Sequence, residues 1–269
     1  MEDNCCKLVS CICVTYNRVS FLKKSIRCFL SQTYPRTELL VIYRADDYQT
    51  KEYLDSLENE NIVGHALNSP KLTLGDIRNQ AVSISNGTYF CNWDDDDWYH
   101  PDRIMRQVEF LERTGQKAVV LTNLLVYDQR TGNAYFSMFR LWETSLLCKK
   151  QCINEDLKYG SRQRGEDAIL VNAMMEKGGV VPLSQPNLVI YFIHGNNTMN
   201  RDHFEKLFKL SQPLSMDKSE MVRGIIEGEI SNGEAKMLLS GNDFLKDLNC
   251  FHKKAGYLSL SGLTIYRSA

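Results

Sequence analysis

Between Leu8 and Leu30 the spacing of the apolar residues changes, and that change fixes most of what the chain can become. Leu8 to Val14 (LVSCICV) is almost wholly apolar and stops at Thr15-Tyr16-Asn17, as suits a central parallel strand covered on both faces. From Val19 the period lengthens. Val19, Leu22, Ile26, Phe29 and Leu30 recur in steps of three and four with Lys23, Lys24 and Arg27 between them, the signature of an amphipathic helix. The alternation then repeats: Glu38 to Tyr43 predicts a strand, Thr50 to Glu60 a polar helix, and Ile62 to Leu67 a third strand. Leu74, Ile77, Ala81 and Ile84 form a helical stripe for which Gly87 is the expected left-handed cap. Thr88 to Trp93 reads as a strand running straight into Asp94-Asp95-Asp96-Asp97.

Pro101 suits the first turn of a helix carrying Ile104, Met105, Val108 and Leu111, and Gly115 sits where it ends. Ala118 to Val126 predicts one strand, Asp128 to Asn133 a hairpin turn, and Ala134 to Phe139 the returning strand. Thr144 to Leu147 and Leu188 to Ile193 follow as strands around a helix from Glu166 to Lys177 that Gly178-Gly179 ends. Such alternation predicts an α/β fold with a mostly parallel, Rossmann-like doubly wound sheet, helices on both faces, and antiparallel character added by the hairpin. That domain is expected over residues 1–200, with a charged helical extension over 201–269.

With 43% hydrophobic and 24% charged residues in 269, a sizeable core is available and disorder is not the default. The net charge of −1 supplies no field for nucleic-acid phosphates, so nucleic acid is excluded as the main partner. Cys11, Cys13, Cys28 and Cys91 lie inside apolar runs and read as buried thiols of a reducing compartment. Cys148 and Cys152 belong to no paired CxxC pattern, which argues against zinc. The start Met1-Glu2-Asp3-Asn4 lacks the basic-then-apolar order of a secretory signal, and no run reaches the roughly 18 apolar residues of a membrane helix. The expectation is a cytoplasmic protein.

In an open α/β sheet ligands gather beyond the carboxyl ends of the strands, which is where the four aspartates fall. Crowded carboxylates repel one another unless a cation compensates. Hard oxygen ligands of this kind favour Mg²⁺ or Mn²⁺, ions that commonly bridge to substrate phosphates. An acidic surface turn is the ordinary alternative, weakened here because Trp93 and Trp98-Tyr99 bracket the run. The spacing of an EF-hand is absent.

Four segments in order, Val14-Thr15-Tyr16-Asn17-Arg18, Ser31-Gln32-Thr33-Tyr34-Pro35, Gly75-Asp76-Ile77-Arg78-Asn79-Gln80-Ala81 and Asp94 to Arg103, resemble the motifs of the GT-A glycosyltransferases, in particular glycosyltransferase family 2. The resemblance implies that Thr15, Tyr16, Asn17 and Asp95 contact a nucleotide and that Arg78 serves the nucleotide or its phosphates. It implies a divalent cation, Mn²⁺ or Mg²⁺, with Asp96 as its principal ligand and Asp94 beside it. His194, in His194-Gly195-Asn196-Asn197-Thr198, resembles the family's terminal segment and completes the metal or diphosphate site. Gly165-Glu166-Asp167 resembles the motif whose aspartate is the catalytic base. A carboxylate at a helix N-terminus is kept ionised and ready to take a proton, although acidic first-turn residues are common without catalysis. Trp142-Glu143-Thr144-Ser145 falls where the family builds its acceptor wall, giving Glu143, Thr144 and Glu166 to the acceptor.

One segment departs from the family. Where it usually has Asp-Asp-Gly-Ser after the second strand, this chain has Tyr43-Arg44-Ala45-Asp46-Asp47, so Tyr43 is expected to stack on a base and Arg44 to pair with phosphate, with the nucleotide left open. The implied reaction is metal-dependent, inverting transfer from a nucleotide-diphosphate sugar to a hydroxyl of a glycan or lipid-linked acceptor, in surface polysaccharide or glycan synthesis. Two rivals are a catalytically silent nucleotide- and metal-binding module and a sugar nucleotidyltransferase; the latter leads with a Gly-rich phosphate loop that Thr15 to Arg18 lacks. Residues 201–269 are open to three roles: packing on the core, forming a homodimer, or resting peripherally on the inner face of a membrane.

Overall fold

The first apolar run forms β1 (Val9–Thr15), and the change of period that follows it is α1 (Val19–Leu30). The computed structural model describes residues 6–68, 71–241 and 244. β1 pairs in parallel with β2 (Thr37–Arg44) on one side and β4 (Tyr89–Asn92) on the other, and β2 pairs in parallel with β3 (Ile62–Leu67). Side chains along β1 alternate between the two faces. Val9, Cys11 and Cys13 face a core shared with Leu22, Ile26 and Phe29 of α1 and with Ile104 and Leu111 of α4 (Arg103–Thr114). Ile12 faces the opposite core, formed with Ala81 and Val82 of α3 (Leu74–Ile84) and Leu170, Val171 and Met174 of α5 (Glu166–Glu176). Helices therefore cover both faces, as the alternation predicted, and the four cysteines expected to be interior are buried.

The fold differs from expectation at several points. Ala118 to Val126 is not one strand. Thr122 and Asn123 interrupt it, Asn123 donating to the Ser137 carbonyl at 3.0 Å, and the chain passes from β6 (Ala118–Leu121) in the first sheet to β7 (Leu125–Asp128) in a second. The expected short strand at Thr144 to Leu147 is β9 (Trp142–Lys149), inserted antiparallel between β4 and β6. With β10 (Val180–Leu183), the seven-stranded sheet has the order β10-β6-β9-β4-β1-β2-β3. The hairpin of β7 with β8 (Asn133–Phe136) joins β11 (Val189–Ile193) and β5 (Trp98–Tyr99) in the second sheet. Lastly, Gly87 is no left-handed cap. α3 ends at Ser85, and Gly87 is needed because a Cβ there would lie 2.4 Å from the Tyr89 carbonyl oxygen and 2.7 Å from the Ser10 nitrogen. Gly115 and Gly178, expected only to mark helix ends, are the glycines that take positive φ there, at 67° and 64°.

Beyond residue 200 the chain forms α6 (Arg201–Leu210), a two-residue strand β12 (Gln212–Pro213) against β8, α7 (Met216–Glu227) and α8 (Asn232–Ser240). Phe204, Leu207, Val222, Ile225, Ala235 and Leu239 join the same apolar core as β1. Residues 201–241 pack on the core, one of the three roles expected for this segment. The remainder of the expected helical extension, 245–269, and the acidic start Met1-Asn4 lie outside the described residues. Among the described residues no helix is long and apolar enough to cross a membrane.

Candidate active site

Because β1 and β4 are parallel neighbours in register, Thr15 and the aspartate run leave the sheet at the same carboxyl edge. They open on a cavity of about 810 Å³. The four aspartates point in different directions. Asp94 accepts from Arg78 Nη2 at 2.7 Å and from Thr144 Oγ1 at 2.5 Å. Asp95, buried, accepts from Thr15 Oγ1 at 2.6 Å and Arg18 Nη1 at 3.0 Å; burial, with the charge of Asp96 adding to it, pushes its carboxyl up to about 7. Asp96 lies 2.8 Å from Arg18 Nη2 and 3.0 Å from His194 Nε2, and against the cost of burial these two partners hold its carboxyl below the usual range. Asp97 turns away from the cavity, accepts from the Phe192 backbone nitrogen at 3.0 Å, and is pushed well up by burial. That bond ties the acidic turn to β11, the strand that ends at His194.

Arg78 carries the link across the cavity. Its guanidinium meets Glu166 at 2.7 Å, Asp94 at 2.7 Å and Asp167 at 3.8 Å, and although burial works against the charge these carboxylates keep it firmly protonated. Arg78, expected at the nucleotide or its phosphates, lies in the cavity wall, faces three carboxylates and joins the acidic turn to the start of α5. Glu166, expected at the acceptor, is buried with its carboxylate on Arg78. Asp167 lies in the cavity wall, accepts from the Ala168 nitrogen at 2.8 Å, and is raised by burial. Glu143 and Thr144 of β9 also face the cavity, Glu143 paired with Arg140 at 2.5 Å.

At the other end Tyr16, Tyr43 and Arg44 line the wall. The Arg44 guanidinium lies over the Tyr16 ring at 4.3 Å and grips Asp46 at 3.1 and 2.7 Å, so the cation expected to meet phosphate is already paired. Asn17, expected to contact the nucleotide, is not among the wall residues. It takes the left-handed φ of 54° that asparagine tolerates, and its backbone nitrogen donates to Asp47 at 2.6 Å. Asp47 also caps α2 (Tyr48–Asp55) through the Thr50 nitrogen. Both acidic residues after β2 are thus occupied locally.

Sequence reasoning passed over Arg18. Its Nη2 lies 2.8 Å from Asp96, 3.2 Å from His194 Nε2 and 3.3 Å from the Asn196 carbonyl oxygen, and its guanidinium rests over Phe21 at 5.1 Å. The available signal was positional: an arginine in the β1–α1 turn leaves the sheet at the same edge as four aspartates. Phe21 also stacks on His194 at 4.6 Å. His194 Nδ1 accepts from the Asn196 nitrogen at 3.1 Å, a pattern that assigns the neutral ring's proton to Nε2, facing Asp96.

The expected metal set was Asp94, Asp96 and His194. Among the described residues no three acidic, His or Cys side chains converge on one point. Asp94 is drawn off by Arg78 and Thr144, while Asp96 and His194 stand together. One carboxylate and one imidazole suit Mg²⁺ or Mn²⁺ when diphosphate oxygens and water fill the other positions, so the pair fits such an ion without Asp94 once the His194 proton moves from Nε2 to Nδ1 and releases the Asn196 amide.

Residues 10–176 match the family described as glycosyl transferase family 2. The chain belongs to this family. Among relatives of this chain, Escherichia coli WfaP, named a UDP-Glc:α-D-GlcNAc-diphosphoundecaprenol β-1,3-glucosyltransferase, is 28% identical over 106 residues, 39% of this chain and 42% of WfaP. The chain spans less than half the length of the first curated relatives it matches. The structure of S. aureus TarS 1–349 in complex with UDP-GlcNAc aligns with TM-score 0.59 and 14% identity over 93% of this chain and 74% of that one. A Pyrobaculum calidifontis mannosyltransferase in complex with GDP-Man and Mn²⁺ aligns with TM-score 0.55 and 14% identity over 93% and 76%. The mixed, largely parallel sheet is the GT-A fold.

Proposed function

We propose that this glycosyltransferase transfers a sugar, with inversion, from a nucleoside-diphosphate donor to an acceptor hydroxyl, and that it requires a divalent cation held by Asp96 and His194. The observation that carries this reading is Arg78, which fastens the acidic turn to the start of α5 in the wall of one cavity, so Asp167 faces the volume that Asp94 and Asp96 border. The bound cation would supply Lewis-acid neutralisation of charge on the departing diphosphate, a contribution of several kcal/mol. Thr15 orients Asp95 beneath the donor, and Tyr16 with Tyr43 provides aromatic surface for the base. Asp167 takes the proton of the acceptor hydroxyl, whose oxygen attacks the anomeric carbon from the side opposite the diphosphate. Glu143 and Thr144 border the acceptor side.

WfaP is named for a lipid-diphosphate-linked acceptor and TarS was solved with UDP-GlcNAc, which supports a glycan or lipid-linked acceptor in surface polysaccharide synthesis and a site of action at the cytoplasmic face of a membrane. The test is transfer from UDP- and GDP-sugars with Mn²⁺, with product configuration read by NMR. Asp167→Asn is expected to lower turnover about 10²–10⁴-fold while leaving donor affinity nearly unchanged. Retained anomeric configuration, or undiminished transfer by that variant, contradicts the reading. The paired state of Arg44, Asp46 and Asp47 gives the silent binding module its one foothold, and that alternative shows nucleotide binding with neither transfer nor donor hydrolysis.

A further inference from the structure

We propose that Arg18 and the divalent cation are alternative occupants of one position, so that the cation enters the donor site by displacing the guanidinium. This deepens the metal-dependent reading above and rests on it. Two arginines pair with the aspartate run. Arg78 is pinned, buried between Asp94 and Glu166. Arg18 stands on the turn between β1 and α1 with its side chain 26% exposed, and among the described residues it is the one arginine or lysine paired with Asp95 and Asp96. Its Nη2 reaches three groups at once: Asp96 Oδ2, His194 Nε2 and the Asn196 carbonyl oxygen, at 2.8, 3.2 and 3.3 Å.

An ion bonded to both Asp96 Oδ2 and His194 Nε2, which stand 3.0 Å apart, sits about 2.0–2.6 Å from each. That volume overlaps Nη2, and two positive charges cannot share it. The Arg18 guanidinium and the His194 ring both lie against Phe21, at 5.1 and 4.6 Å from its ring, which holds the two groups next to each other. His194 is committed too, because its Nδ1 holds the Asn196 amide and its Nε2 faces Asp96. Without donor the site is therefore self-neutralised. Diphosphate oxygens give the displaced guanidinium a new anion along the same cavity wall, which makes nucleotide and metal binding mutually favourable.

The test is Mn²⁺ binding followed by EPR, with and without UDP, for the wild type, Arg18→Gln, Arg18→Lys and Asp96→Asn, each checked for folding by thermal melting. Without nucleotide, Arg18→Gln is expected to bind Mn²⁺ about tenfold more tightly than the wild type, and the gain that UDP gives to Mn²⁺ binding shrinks accordingly. Arg18→Lys, which keeps a charge but fewer donors, falls between them and carries the test if Arg18→Gln does not fold. Asp96→Asn loses the ion under all conditions. Unchanged or weaker Mn²⁺ binding in both Arg18 variants, with Asp96→Asn still defective, overturns the exchange and leaves the metal reading standing. Absence of Mn²⁺ binding in every protein, with and without UDP, overturns both.

Discussion

In the proposed mechanism the Asp167 carboxyl takes the acceptor's proton, and its setting makes a quantitative demand. Burial raises it above the ordinary aspartate range near 3.9, with Arg78 opposing the shift. A base works only when ionised. As pH rises through the elevated value kcat/KM must therefore rise, and the acid limb of the profile is expected above that ordinary range and absent from the residual activity of Asp167→Asn; a limb at or below pH 4 in the wild type contradicts the assignment. The gathering of Thr15, Asp94 to Asp97, Asp167 and His194 was legible in sequence because each follows a strand end or opens a helix, and sheet topology delivers such residues to one edge. The pairings were not. Arg18 lies 77 and 78 residues from Asp95 and Asp96, and an arginine in a polar turn looks the same whether it meets solvent or carboxylates. Arg78 was legible as functional, yet only the placement of α5 shows that its partners are acidic.

At the scale of elements, the strands that position the acidic turn are tied together by Glu38. Its carboxylate accepts from Ser10 Oγ of β1 at 2.5 Å and from the Asn86 backbone at 2.7 Å just ahead of β4, and against the cost of burial these bonds hold its carboxyl below the usual range. A depressed folded-state value means stability that is fully present above the unfolded value near 4.3 and lost as pH falls through the folded one. Glu38→Gln is expected to lower Tm by a few degrees at pH 7 and by progressively less as the pH drops below 4; an equal deficit at both ends removes the carboxylate from the account. The parallel half was readable because β1, β2 and β3 are separated by clear helical periods. β9 was only half readable, since Trp142, Glu143 and Lys149 disguise its ends and composition does not encode strand direction. The break at Thr122-Asn123 was hidden because both residues are buried, where the Ser137 carbonyl takes a bond from the Asn123 amide and its hydroxyl one from the Leu124 nitrogen. β10 was missed because Pro182 obscures it, a residue a sheet tolerates at its edge, where β10 lies.

For the whole molecule, the core does not stop at residue 200. Ala134 donates to Ser219, Trp98 to Asn232, and Lys236 pairs with Asp102, so α7 and α8 grip the second sheet and the start of α4. Each large apolar side chain buried there contributes about 1.5–3 kcal/mol. Losing Phe204, Leu207, Val222, Ile225, Ile226 and Leu239 together matches or exceeds the net ~5–15 kcal/mol of a typical domain. A chain ended after Met199 is expected to be insoluble or to lack a cooperative melt, and a sharp transition near the full-length Tm contradicts this. On the proposed reading, the cavity has a cation-and-diphosphate end at Asp96 and His194 and a proton-accepting end at Asp167. The most direct test of that arrangement is calorimetric titration of UDP and GDP with and without Mn²⁺, on the wild type and Asp96→Asn. The account predicts that one of the two diphosphates binds the wild type, that Mn²⁺ strengthens this binding about tenfold or more, and that Asp96→Asn loses the Mn²⁺ enhancement; equal affinities with and without Mn²⁺ in the wild type contradict it.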